Sequence, residues 1–290
     1  MRSYAPTLAI LLSIFLSCTY AESIRSIFLF KDVLKSKTAA LRTSGFNTLI
    51  IFGIGVTEDG SINYYSNTPG SKDIVVAAKG GYVGGDALAS KVLSFKKGND
   101  TGVNRIELSM NSAHVKELMA KGAGDDTVLA KNFKALKVAW GLDAVNNDDE
   151  KVYDIGSTVA FARMLGKVGY KYTFAPYTNL RFWVSVEKQL NAGLKEPGLL
   201  MDRVYLQCYD GGARNNPAEW SRTLGIKVVP LVWVTNDSKP GQGTTVAQAR
   251  GKFNSWQGSV AGGGYWNDYD IEKMKLSYKQ YGDVLTSIFK

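Results

Sequence analysis

Between residues 136 and 150 the chain passes from an apolar stretch into Asp143-Ala-Val-Asn-Asn-Asp-Asp-Glu150. Side chains alternate between the two faces of a strand. Ala144, Asn146, Asp148 and Glu150 therefore share one face if a strand runs that far. Two carboxylates lining one pocket push each other's pKa apart, so that one holds a proton as an acid while the other stays ionised. The same residues also read as a solvated strand-to-helix loop in which Asp148 or Asp149 caps the following helix.

Placing such a cluster requires a scaffold. Apolar, β-branched runs predict strands over 26–30, 47–54, 105–109, 136–146, 171–177, 203–209, 227–234 and 260–266. Helical periodicity lies between them, over 33–42, 87–95, 112–121, 152–167, 180–192, 218–224, 246–256 and 271–287. Strands alternating with helices predict a parallel sheet, and eight units predict its closure into a single (β/α)8 barrel. In such a barrel catalytic residues sit at the C-terminal strand ends, where the carboxylate cluster falls. The alternative is an open doubly wound sheet, but its Gly-rich first turn is missing after Phe30. Residues 55–85 carry Asp-Gly and Pro-Gly turn signals and predict a hairpin over the barrel mouth.

Asp143-x-x-Asn146-x-Asp148-x-Glu150 resembles the Asp-x-x-Asp-x-Asp-x-Glu signature of glycoside hydrolase family 18, which includes chitinases and endo-β-N-acetylglucosaminidases on a (β/α)8 barrel. Asp143, Asp148 and Glu150 match; Asn146 replaces the middle Asp. Tyr205-Leu-Gln207-Cys-Tyr209 is similar to the family's sixth strand, Gly263-Gly-Tyr-Trp266 to its eighth and Phe174-Ala-Pro-Tyr177 to its fifth. Ser109-Met-Asn-Ser112 departs from the Ser-x-Gly-Gly of its third. The resemblance spans roughly residues 45–270, and only the fourth-strand signature is reasonably specific.

The resemblance implies substrate-assisted retaining hydrolysis of β-1,4-linked N-acetylglucosamine, in chitin or an N-glycan core, without a cofactor. Glu150 would be the acid and then the base. Asp148 would hold the substrate's acetamido N–H, Tyr209 would donate to the same group, and Trp266 would underlie the ring. An amide at 146 still hydrogen-bonds a carboxylate but takes up no proton. Gln207 shares the Tyr209 face. Tyr177, Trp233 and the loop residues Arg214 and Asn215 are further candidates for sugar binding. Asn146 and the altered third strand favour an alternative, a catalytically weak or inactive barrel that binds sugar or inhibits another enzyme.

Composition narrows the partners. The net charge is +9, but the basic residues are scattered and form no block interleaved with aromatics, which argues against nucleic acid. Residues 1–21 read as an export signal, with Arg2, an apolar run over 8–16 and Ala21 at the cleavage site. Residues 22–290 then form one secreted domain, extracellular or at the cell wall. No later run has the roughly 20 apolar residues of a membrane helix, so no membrane partner is expected. His114 is the only histidine, which disfavours a metal site. Cys208 would be the one cysteine left after cleavage and reads as a packing residue. Asn99 and Asn236 stand in glycosylation acceptor sequences.

Overall fold

The computed structural model describes residues 22–195 and 198–290; the export signal read at 1–21 lies outside them. The strands are β1 (Ile24–Leu29), β2 (Thr48–Val56), β3 (Ile62–Tyr64), β4 (Ile74–Ala78), β5 (Gly81–Tyr82), β6 (Arg105–Met110), β7 (Ala144–Asn147), β8 (Lys171–Phe174), β9 (Met201–Gln207), β10 (Val229–Trp233) and β11 (Gly262–Trp266). The helices are α1 (Thr38–Arg42), α2 (Asp86–Ser94), α3 (Val115–Lys121), α4 (Val128–Trp140), α5 (Ile155–Val168), α6 (Leu180–Asn191), α7 (Pro217–Leu224), α8 (Val246–Trp256), α9 (Asp268–Lys273) and α10 (Tyr278–Ile288).

Strands β1, β2 and β6 to β11 pair in parallel in that order, and β11 returns to β1, closing an eight-stranded barrel. An open doubly wound sheet is thereby excluded. Glycine makes the closure possible. A Cβ at Gly264 would stand 2.1 Å from the Ser26 Oγ, so only glycine lets β11 lie this close to β1. Outside the barrel, the apolar stripes of the helices pack on the outward strand residues. Inside, Phe28, Ile50, Tyr205 and Leu231 fill the middle of the lumen.

Two sequence expectations change. Residues 136–140, read as the start of a strand, are instead the last turns of α4. Thr127 caps this helix by accepting from the Ala130 N–H, and Gly141 ends it in the left-handed region at φ 62°. Its buried Leu129, Phe133, Leu136 and Trp140 recur at helical spacing, so the strand begins only at Ala144. The hairpin read over 55–85 exists as the antiparallel set β2–β3–β4–β5, and none of residues 55–85 lines a cavity at the mouth. It packs against α4, where Asn132 donates to the Gly60 carbonyl and the Trp140 indole donates to Tyr82. Asn236 is buried, with its amide nitrogen donated to the Val234 carbonyl, so this acceptor sequence is closed to glycosylation in the folded protein.

Candidate active site

The ladder of β7 continues one residue past the strand, because the Asp148 N–H donates to the Met110 carbonyl at 2.9 Å. Asp148 therefore keeps the inward face of Ala144 and Asn146. Asp149 points the other way and is buried. Its carboxylate accepts the N–H groups of Lys151, Val152 and Tyr153 at 3.0, 2.8 and 2.7 Å. That turn carries Glu150 out over the mouth with an exposed side chain. The helix cap is neither Asp148 nor Asp149 but Asp154, which accepts from the Ser157 N–H at 2.8 Å.

Asp148 and Glu150 line a cavity of about 410 Å3 at the C-terminal end of the barrel. Trp266, Phe28 and Leu231 form its apolar surface, and Gln207, Tyr209 and Trp233 stand along β9 and β10. Tyr177 lines the same cavity. The rings brace one another: Tyr209 stacks on Trp266 with centroids 6.4 Å apart, and Phe52 meets Trp266 edge-on at 4.8 Å. Such a surface suits the C–H face of a sugar ring. On the other side of Glu150 lies a second depression of about 360 Å3, lined by Asn111, Ala113 and Val152. Phe52, Asp148 and Glu150 border both. Glu150 thus stands at the junction of the two.

The electrostatics separate the roles of the carboxylates. Burial, reinforced by the charges of Glu150 and Asp149, pushes the Asp148 carboxyl up to about 8. Gln207 Nε2 holds it at 3.2 Å while also donating to the Ala175 carbonyl at 2.8 Å. Burial raises the Tyr209 hydroxyl well above its ordinary value, and Asp148 and Glu150 add to the shift, so it stays a proton donor.

Asn146 lies one layer below, fully buried and outside the cavity lining. Its amide nitrogen donates to Thr173 Oγ1 at 2.9 Å rather than to Asp148. Three further sequence candidates do not reach the cavity. Asp143 stands before β7, at the opposite end of the barrel, where it accepts from Lys96 and from the Ile106 N–H at 2.7 Å. It is a strand anchor, out of reach of a substrate. Arg214 is exposed beyond the cavity rim. Asn215 spends its amide on the carbonyls of Tyr177 and Gln207, both at 2.9 Å, and so braces the loop rather than meeting a sugar.

Phe28, Phe52 and Asp210 were not among the sequence candidates. Alternation along the first two strands carried the signal for the two phenylalanines, which fall on the inward face. Asp210, at φ 46°, is placed by a turn and paired with Lys239, which nothing in the local sequence signals. His114 starts α3 and Cys208 is buried, its thiol pushed up to about 12 by burial. Among the described residues no group of three or more His, Cys, Asp or Glu is arranged to hold a metal ion, and no helix is long and apolar enough to cross a membrane.

Comparison with solved structures decides the fold family. A family 18 chitinase from Pseudoalteromonas aurantia superposes with a TM-score of 0.65 at 12% identity, over 91% of this chain and 99% of that one. The fold is that of the family 18 chitinases. A chitinase from Bacteroides thetaiotaomicron matches with a TM-score of 0.60 at 13% identity, over 93% and 97% of the two chains. Catalytic-site mutants of a Pyrococcus furiosus chitinase domain, complexed with chito-oligosaccharides, match with a TM-score of 0.56 at 10% identity, over 92% and 95%. No protein-family model and no curated protein matches the sequence. The likeness to family 18 is therefore carried by the fold.

Proposed function

We propose that the protein is an exported glycoside hydrolase that cleaves β-1,4-linked N-acetylglucosamine, in chitin or an N-glycan core, by substrate-assisted retaining hydrolysis. The observation that carries this reading is the cavity itself. Asp148, Glu150 and Tyr209 line one continuous site floored by Trp266, with Glu150 between two depressions. The sugar bearing the reacting carbon lies over Trp266, and the leaving unit lies beyond Glu150.

In this mechanism the Glu150 carboxyl gives its proton to the glycosidic oxygen as the bond to the anomeric carbon breaks. The substrate's own acetamido oxygen forms the new bond to that carbon, giving an oxazolinium ion. Ionised Asp148 accepts the acetamido N–H and offsets the positive charge, and the Tyr209 hydroxyl donates to the same group. Glu150, now ionised, takes a proton from the water that opens the ring. Burial raises the Asp148 carboxyl, and the arriving acetamido N–H favours its ionised form.

The test is incubation with N-acetylglucosamine oligomers and a high-mannose glycopeptide, with products read by mass spectrometry beside a Glu150→Gln control. Cleavage by the native protein and a loss of at least ~100-fold in the control is the expected result. Saturable binding without cleavage would instead favour a sugar-binding barrel, and Asn146 is the feature that would explain it. Neither binding nor cleavage would rule out both. Export is tested separately, by N-terminal sequencing of protein from the culture medium, which should begin at Glu22.

A further inference from the structure

The lumen below the cavity holds a buried carboxylate that the proposed hydrolysis does not use. Glu107 on β6 is fully buried. Its Oε1 accepts from Arg105 Nε at 2.7 Å and from the Tyr205 hydroxyl at 2.6 Å. Its Oε2 accepts from Thr173 Oγ1 at 2.7 Å. Arg105 also forks onto Asp202 at 2.6 and 2.9 Å, and Arg203 approaches Glu107 at 3.9 Å. With a guanidinium in contact, Glu107 is the acceptor in each of these bonds.

The direction of the next bond follows. A threonine hydroxyl has one proton, and Thr173 gives it to Glu107. Thr173 Oγ1 is therefore an acceptor toward residue 146, which must be a donor. The Asn146 amide nitrogen supplies that donor at 2.9 Å. An ionised carboxylate at 146 has no proton to offer. It would face the Thr173 oxygen with a second buried negative charge and no arginine beside it.

We propose that Glu107 is a positioning residue that, through Thr173, fixes an amide at 146. The buried carboxylate of the fourth-strand signature is thus replaced by one on the neighbouring strand β6. The departure at Asn146 and the lumen glutamate are one compensated pair. As a consequence, Asp148 has no carboxylate beneath it. A readout through catalysis rests on the proposed hydrolysis; the pairing does not.

The test is a double-mutant cycle read by thermal unfolding. Asn146→Asp alone should lower Tm by about 5 °C or more. Glu107→Gln alone should also lower it, by leaving Arg105 and Arg203 short of a counter-charge. In the double variant the chain of hydrogen bonds reverses: the amide introduced at position 107 donates to Thr173, and Thr173 donates to the carboxylate introduced at position 146. Its Tm should lie well above the sum of the two losses. If Asn146→Asp alone does not fold, recovery of cooperative unfolding in the double variant is the same result. Additive losses, an Asn146→Asp variant as stable as the native protein, or a double variant that does not fold would each overturn the pairing. A pH–rate profile adds a readout that packing alone would not move. The double variant, with a carboxylate restored beneath Asp148, should show its pH optimum displaced by about half a unit or more. Superposable profiles would overturn the positioning role. If the native protein cleaves no N-acetylglucosamine substrate, the proposed hydrolysis fails while the Tm cycle still decides the pairing.

Discussion

Asp148 and Glu150 are separated by a single residue, and that residue keeps them apart in role. Asp149 folds the chain back with three backbone hydrogen bonds, leaving Asp148 in the barrel and Glu150 at the rim. In the proposed hydrolysis the pair works only while it holds one proton. Because the Asp148 carboxyl is pushed up to about 8, that proton is retained through neutrality and lost above it. The rate of hydrolysis should therefore be level from about pH 6 to 7 and fall roughly tenfold per pH unit above about 8. A pH–rate profile measures this, and a fall beginning near pH 5 would contradict it. At this scale the sequence was informative where residues share one strand. Asp148, one residue past β7, and Gln207, at the end of β9, face the cavity as alternation predicts, whereas Glu150 reaches it through the Asp149 turn and Tyr209 from just beyond β9. Asp143, Arg214 and Asn215 fail because their surroundings are set by loops and by the far end of the barrel, which no local spacing encodes.

The short helix α9 shows how an element, rather than a residue, shapes the site. Its first turn carries two buried carboxylates. Asp268 accepts the N–H groups of Phe30 and Lys31 at 2.7 and 2.9 Å, tying the end of β1 to the loop after β11. Asp270 accepts the Trp233 indole N–H at 2.7 Å and the Asn267 amide at 3.1 Å. The orientation of the Trp233 ring at the cavity thus depends on α9. Asp270→Ala should raise KM for oligosaccharides about tenfold, equivalent to ~1.4 kcal/mol, with kcat changed less. Asp270→Asn, which keeps an acceptor oxygen, should recover most of the loss. Steady-state kinetics showing a fall in kcat at unchanged KM would disprove this role. The alternation of strands and helices was legible because each barrel unit repeats the same two periodicities. Helix α4 was misread because Leu136-Lys-Val-Ala-Trp140 is apolar enough for either structure, and its cap at Thr127 decides the matter. The placement of the β3–β5 hairpin on α4 rests on Asn132 and Trp140, contacts that lie far apart in sequence.

Across the whole molecule, the barrel keeps its charges in two separate layers. The end remote from the cavity is a satisfied network in which Arg105 joins Glu107 to Asp202. The mouth holds carboxyls at a cost. Burial raises Asp148 to about 8 and Asp268 to about 7, both from an ordinary value of 3.8. A carboxyl raised on folding contributes stability that is complete below its unfolded value and is lost as pH rises through its folded value. These two groups should therefore destabilise the protein progressively between about pH 4 and 8. The opposite case is Asp154, lowered to about 2 chiefly by the Ser157 N–H, whose contribution is present above 3.8 and lost only in stronger acid. Maximum stability should accordingly fall near pH 4 to 5. Unfolding in urea at about 0.15 M salt, which screens the net positive charge, should show a lower midpoint at pH 8.5 than at pH 4.5. The difference should be on the order of 2–4 kcal/mol, allowing for water in the cavity around Asp148. Asp148→Asn combined with Asp268→Asn should remove most of it, since an amide oxygen at position 268 can still accept from Phe30 and Lys31. A midpoint that rises with pH in the native protein, or a double variant with the native slope, would show that the mouth carboxyls do not set the pH dependence of folding.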